Sequence, residues 1–287
     1  MEQLSLDGII DMHMHSGPDL RPRRYDDLTL CSTAAEAGAS AIVLKSHLGD
    51  TSARAYLANR FCQETYPGSS FQAVGSITLN RGVGGLNPEA VSNALTLGAR
   101  VVWLPTASAE NHLKRVGKPI DKAVRVIGNG RILPALGEVM ELIRQHDAVL
   151  ATGHLSGEEI QIVVKAAREM GLRKIVVTHP EWWLVGLSLE EQCQLVRTYD
   201  VVLERCFAQN KGVGPGHGYL SNLPGNLEAI RTIGSQNILI STDGGQAENL
   251  PWPEMEREYL GYLLSHGVSQ EQLWYMSRTL PRSLLGL

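Results

Sequence analysis

The hexapeptide Asp11-Met12-His13-Met14-His15-Ser16 carries the residue types in this chain best suited to chemistry. It follows the apolar run Gly8-Ile9-Ile10 and reads as the end of a short strand that begins near residue 7. Side chains alternate between the faces of a strand, so His13 and His15 point one way and Met12 and Met14 the other. Two imidazoles side by side at a strand end are costly to bury unless something engages their lone pairs. A divalent metal does so, because neutral imidazole is a good ligand for zinc, iron or nickel. The plain alternative is a pair of hydrogen-bonded or solvated histidines. Later strands that also end in ligand-type residues favour the metal.

Those strands emerge from a regular alternation of short apolar runs and amphipathic helices. Ala41 to Leu44 runs into Lys45-Ser46-His47, and Phe71 to Leu79 runs into Asn80-Arg81 and a glycine-rich turn. Arg100 to Leu104 ends at Pro105-Thr106, Ala148 to Thr152 at Gly153-His154, and Lys174 to Val177 at Thr178-His179. Val201 to Leu203 ends at Glu204-Arg205-Cys206, and Ile238 to Ile240 at Ser241-Thr242-Asp243. Helices are expected over about 26–37, 52–65, from Pro88, and over about 136–145, 157–170 and 188–198. Pro88 sits in a first turn, and Ser188 with Glu191 forms a capping-box pattern. Residues 107–134 break the rhythm and read as a small β-hairpin-like insertion after strand four.

Eight short strands, nearly all apolar, fit a parallel sheet buried on both faces with right-handed crossovers. The expected fold is therefore α/β: a (β/α)8 TIM-like barrel, one domain over residues 1–287, with chemistry at the carboxyl ends of the strands. A doubly wound open sheet is the alternative. No GxGxxG opens a helix after the first strand, which weakens a dinucleotide-binding reading.

Composition narrows the function. The net charge of −4 gives no basic footprint for nucleic acid. No run of about 20 uninterrupted apolar residues is present to span a membrane. Met1 to Asp7 lacks the cationic and apolar regions of a signal peptide. Cys31, Cys62, Cys193 and Cys206 are widely spaced and read as free thiols of a reducing compartment. These features together predict a soluble cytoplasmic protein with a small-molecule partner. The sequence leaves the oligomeric state open, a homo-oligomer included.

Strand one supplies His13 and His15; strand two supplies Lys45 and His47, two apart and so expected on one face. Strands five, six and eight end in His154, His179 and Asp243. Five of the nine histidines thus fall within a residue or two of a strand end, and convergence on one mouth explains this better than five unrelated loop residues. His112, His146 and His266 fall on helices or in the insertion and read as structural.

At these residues the chain resembles the amidohydrolase superfamily of metal-dependent barrels. The tail, with Leu280-Pro281-Arg282-Ser283-Leu284-Leu285-Gly286-Leu287, is similar to the "NPA…LGL" ending common there. The resemblance implies that His13 and His15 bind the buried metal, that His154 and His179 bind a second metal or share the first site, and that Asp243 ligates and acts as general base. One departure stands out. Binuclear members carry a bridging carboxylated Lys or a Glu at strand four, where this chain has Trp103-Leu104-Pro105-Thr106. Lys45 is a candidate for the bridge, since burial beside dications depresses a lysine pKa and frees the amine to take up carbon dioxide. A protonated Lys45 that binds a substrate anion or pairs with Asp243 is the alternative. The segment Ile42 to His47 also resembles the "TDH" motif of PHP-type phosphoesterases, which implies His47 as a ligand, but Lys45 stands where that family has Asp.

The implied activity is hydrolysis of an amide, cyclic amide, lactone or related ester carbonyl. One or two divalent ions would activate water and polarise the carbonyl, zinc first, with manganese, iron and nickel also suited. Asp243 would move the proton, with Lys45 and His47 as further catalytic candidates. Phosphoester hydrolysis, a one-metal decarboxylase and a non-catalytic metal-binding barrel are the alternatives. Asn80 and Arg81 suit a carboxylate or phosphate, Trp182 and Trp183 an apolar wall, and Glu204 a substrate or histidine contact. The stretch 208–225, with Lys211, His217 and Tyr219, is long enough for a lid. Ordinary turns, packing and ion pairs are the plain alternatives for each of these.

Overall fold

A computed structural model describes residues 4–212 and 216–287. Residues 1–3 of the N-terminal stretch and 213–215 of the expected lid lie outside the described residues. The elements in chain order are β1 (Ile10–His15), α1 (Asp27–Glu36), β2 (Ala41–Lys45), α2 (Ser52–Thr65), β3 (Gln72–Thr78), α3 (Pro88–Thr96) and β4 (Ala99–Trp103). An insertion follows with α4 (Glu110–Arg115), β5 (Ile127–Gly128) and β6 (Arg131–Ile132). Then come α5 (Pro134–Gln145), β7 (Val149–Ala151), α6 (Gly157–Glu169), β8 (Ile175–Val177), α7 (Leu189–Tyr199) and β9 (Val202–Cys206). The chain ends with β10 (Ala208–Asn210), β11 (Tyr219–Ser221), α8 (Leu223–Ile233), β12 (Ile238–Ser241), α9 (Trp252–Ser265), α10 (Gln270–Trp274) and α11 (Leu280–Leu285).

Eight strands hydrogen-bond in the order β1-β2-β3-β4-β7-β8-β9-β12, which is sequence order with the small hairpins left out. This is the (β/α)8 barrel, with a helix after each of its strands. Local sequence sets the helix starts. Asp26 caps α1 by accepting from the Thr29 amide, and Asn87 caps α3 with Pro88 at its first position. Capping boxes open α6 (Ser156 and Glu159) and α7 (Ser188 and Glu191). Among the described residues no helix is long and apolar enough to cross a membrane.

Three expectations change in detail. The insertion does contain an antiparallel hairpin, but it is confined to Ile127–Ile132, and a helix, α4, precedes it. Glu110 anchors that helix by ion pairs to Lys114 and Arg125. The stretch from residue 208 is not a plain loop, because Ala208–Asn210 pairs antiparallel with Tyr219–Ser221. Strand β2 ends at Lys45, so its alternation does not carry on to His47.

Two compact units make up the chain: Met1–Lys45, Ala53–Gly75 and Arg205–Leu287 form the first, Ser46–Ser52 and Ser76–Glu204 the second. In the first, β1 pairs in parallel with β2, Ile10 opposite Ala41 and His15 opposite Lys45. The register slips between Asp11 and Met14, leaving one extra residue on β1. Such a bulge frees backbone groups and reverses the alternation. The Asp11 carboxylate accepts from the His13 amide at 3.0 Å. Asp11 and Met14 consequently share a side, and both accept from the Thr242 hydroxyl. Asp11 also takes the indole N–H of the fully buried Trp252 at 3.0 Å. In the second unit, Trp103, Leu136, Val139, Met140, Ile143, Val163 and Val164 are buried.

The first unit also buries an acid pair. Burial, and then the charge of Asp11, push the Glu256 carboxyl well above its ordinary range. Asp11 itself is raised to about 6, because burial outweighs its bonds from Thr242, His13 and Trp252. A carboxyl raised in the folded state contributes stability that is present below its unfolded value of 4.5 and is lost as pH climbs through the folded value. Glu256→Gln mimics the protonated acid and should match the parent near pH 4. Its advantage in urea unfolding should then grow with pH, by at most about 1.4 kcal/mol per unit. A stability difference independent of pH would show that Glu256 does not hold a proton in the fold.

Candidate functional site

In the first unit the bulge leaves His13 and His15 on one side of β1, with ring centroids 5.4 Å apart. Beside them runs the segment after β12, where the His15 amide donates to the Gly244 carbonyl at 3.0 Å. Gly245 sits at φ +95°, and a Cβ there would meet the His15 carbonyl oxygen at 1.8 Å, so only glycine permits this approach. The neighbouring Asp243 takes φ +50° and turns its carboxylate back to the two rings. Its Oδ1 lies 3.1 Å from His13 Nε2 and 3.3 Å from His15 Nε2.

Electrostatics match this geometry. Burial, and then the Arg23 guanidinium, hold His15 well below its ordinary pKa against the pull of Asp243. His15 is therefore a neutral imidazole, the form that ligates metals. Burial raises the Asp243 carboxyl, but His13 first, and then the hydrogen bonds to both imidazoles, outweigh it and hold the group well below the usual range. Asp243 is thus ionised at any working pH. The three donor atoms are buried and within 4.8 Å of one another. Ligands on a tetrahedral ion with bonds of about 2.0–2.1 Å are about 3.3 Å apart, close to the separations here. Two imidazoles and a carboxylate so arranged fit a divalent cation.

Lys45 is as deeply buried as these ligands, with its Nζ 2.7 Å from His13 Nε2. Lys45 Nζ and Asp243 Oδ1 meet at the same His13 nitrogen that a metal would use, so Lys45 and an ion compete for His13. On the other edge of that ring, Cys206 Sγ lies 4.0 Å from His13 Nδ1. Arg23, clamped by Asp19 at 2.7 and 2.8 Å, points Nη2 at His15 Nδ1 from 3.4 Å. Sequence reasoning left Arg23 unmarked and read Cys206 as a free thiol, and no spacing in the chain singled out either.

The second unit gathers its own histidines. His154 and His179 have ring centroids 5.2 Å apart, and Trp182 packs edgewise on both, at 5.2 and 4.8 Å. His47 is half-buried, bonds Thr106 Oγ1 through Nδ1 at 2.8 Å, and meets His154 edge-on at 6.0 Å. His112, read from sequence as structural, joins this group: its Nδ1 lies 2.8 Å from His154 Nδ1. Asn80 is engaged on both ends of its amide. Nδ2 donates to the His47 carbonyl and to Thr106 Oγ1, and Oδ1 accepts from the amides of Thr106 and Ser108. That residue ties two strand-end loops together. Arg81 is exposed in the following turn. Glu204 is buried on β9, and His217 of the first unit is exposed before β11.

A family model described as "Family of unknown function (DUF6282)" matches residues 8–204. The chain belongs to that family. The matched segment holds His13, His15, Lys45, His112, His154 and His179, while Asp243 lies beyond it. No curated protein matches. Among solved structures, the chain is similar to a putative 2-pyrone-4,6-dicarboxylic acid hydrolase from Pseudomonas putida, at 20% identity and TM-score 0.58 over 99% of this chain and 98% of that one. It is similar to an amidohydrolase from Pseudomonas aeruginosa at 10% identity and TM-score 0.67, over 97% and 95% of the two chains. A dihydroorotase from Campylobacter jejuni aligns at 13% identity and TM-score 0.62, over 100% of this chain and 85% of that one. At these identities the likeness is one of fold. It bears out the (β/α)8 barrel for this DUF6282 chain and gives no support to the PHP-type likeness.

Proposed function

We propose that this chain is a metal-dependent hydrolase of amidohydrolase type. Its substrate is a small molecule with an amide, cyclic amide, lactone or related ester carbonyl. The observation that carries the reading is the convergence of His13 Nε2, His15 Nε2 and Asp243 Oδ1 in a buried donor set. A divalent ion held there, zinc first, supplies activated water and a polarised carbonyl. His13 and His15 hold the ion as neutral imidazoles. Asp243 completes the set and, as an ionised carboxylate, accepts a proton and returns it to the leaving group. His154 and His179 are a second pair of imidazole donors in their own unit. Trp182 walls both rings, and Glu204, Arg81 and His217 are the remaining candidates for substrate contact. Among the described residues the four cysteines form no disulfide, which supports a cytoplasmic, reducing location.

The test strips the protein with a chelator and restores zinc, manganese, iron or nickel one at a time. Each form is assayed on a panel of lactones, cyclic amides and carboxylic esters. Hydrolysis that disappears with the metal and returns with it is the expected result. A protein that retains no metal and hydrolyses none of the panel overturns the proposal.

Lys45 separates two versions of the site. As a carboxylated bridge it is an anionic ligand, so Lys45→Ala should lose metal, and short carboxylic acids should restore activity. As a cationic anchor its loss should leave metal content intact and raise KM for an anionic substrate, since uniform binding is what disappears. The 2.7 Å approach to His13 Nε2 puts Lys45 within reach of either role. Elemental analysis with steady-state kinetics on Lys45→Ala distinguishes them. Wild-type metal content with wild-type kinetics would make Lys45 structural only.

A further inference from the structure

The Arg23 side chain is 3% exposed, in the same unit as His15 and Asp243. Its Nε and Nη2 both donate to one oxygen of Asp19, Oδ2, at 2.8 and 2.7 Å. Nη2 also faces His15 Nδ1, across a long 3.4 Å. Nη1 has no hydrogen-bond partner among the described residues. A guanidinium carries five N–H donors in a planar fork and no acceptor, so donors remain unspent here. The backbone around it is fastened. Arg23 and Gln246 form an antiparallel bridge, and the Arg24 amide donates to the Gly245 carbonyl at 2.9 Å. The Arg23 guanidinium thus touches the His15 ring while its main chain is tied to the segment that follows Asp243. That segment has unspent polar groups of its own. The Gln246 carbonyl accepts from the Asn249 amide, and the Asn249 side chain is buried with neither end of its carboxamide partnered among the described residues. Buried polar groups left so are costly. Arg21 lies within electrostatic reach as well: burial, and then the charge of Arg23, hold it below its ordinary pKa.

We infer that Arg23 anchors a carboxylate of the substrate, which narrows the proposed class to lactones and cyclic amides that carry an acid group close to the scissile carbonyl. This rests on the proposed hydrolase reading. Arginine suits the task because its fork matches the planar carboxylate and stays charged at any working pH. Asp19 takes the Nε–Nη2 edge and so orients the fork, while Nη1 is left to the ligand. Contact with the His15 ring puts that anion beside the donor set of His13, His15 and Asp243. Two arginines close together repel, and an anion bound at Arg23 relieves that repulsion.

The experiment uses the full chain loaded with zinc, and its first probe is glutarate, a dicarboxylate with no bond to hydrolyse. Calorimetry should find binding to the parent that Arg23→Gln weakens by about 10–100-fold, the usual range for a hydrogen bond to a charged group. Arg23→Lys keeps the charge without the fork and should fall between. The second probe is kinetic: a lactone with a free carboxylate against its neutral carboxamide counterpart. The parent should favour the acid by about tenfold or more in kcat/KM, chiefly through KM, and Arg23→Gln should erase that preference. A merely structural role lowers turnover of both substrates alike. Equal losses on the two, or unchanged glutarate affinity in Arg23→Gln, overturn the inference. A preference kept in Arg23→Gln and lost in Lys45→Ala overturns it as well and gives the anion to Lys45. A parent that neither binds glutarate nor favours the acid overturns it even if no variant folds. If no form hydrolyses either lactone while glutarate binding still depends on Arg23, the hydrolase reading falls and the anion site stands.

Discussion

Purified protein in which His13 and His15 are both replaced by Ala should carry no transition metal, where the parent carries at least one ion per chain. The two Nε2 atoms are two of the three donors that converge in the first unit, and the double change leaves only the Asp243 carboxylate of that set. A bound ion also stabilises the fold by mass action, by about 4 kcal/mol when its free concentration is a thousand times Kd. Chelator should therefore lower the melting temperature of the parent and leave that of the double variant unchanged. Circular dichroism checks that the variant is folded. Full metal content in a folded double variant, by elemental analysis, would remove this site from the proposal.

The part of this arrangement legible in the sequence is the part that depends on local periodicity. Alternation along Asp11 to His15 correctly puts His13 and His15 side by side. Apolar runs locate the eight barrel strands, and the Ser188 and Glu191 pattern locates the start of α7. What local pattern misses is set by pairing and packing. The bulge in β1 turns Asp11 away from the histidines, toward Thr242 and Trp252, and it exists only in the register against β2. His47 lies past the end of β2, where alternation no longer holds. His112 rides on a six-residue polar helix, Glu-Asn-His-Leu-Lys-Arg, too short to show an apolar face. It is buried, with its ring against His154, a partner distant in sequence. Asn80 has the composition of an anion site, and only the folded loops show its amide engaged by His47, Thr106 and Ser108.

Asp243→Asn should keep the fold and the metal-binding histidines yet lower turnover by about 10²–10⁴-fold, the usual loss when an acid–base group is removed. The change is conservative in shape. Asp243 stands at φ +50°, and Asn is one of the few residues that adopts this region readily, so the backbone at the end of β12 need not move. The side-chain oxygen of Asn can still face the two Nε2 atoms at the distances seen here, 3.1 and 3.3 Å, as a neutral donor beside them. What disappears is the negative charge, and with it the ability to take a proton during the reaction. Loss of an anionic donor also weakens metal binding, so turnover must be measured with metal at saturation. A fall in kcat that persists at saturating metal assigns the loss to proton transfer. If excess metal restores turnover fully, Asp243 acts as a ligand only, and the base must be sought among the other residues of the site.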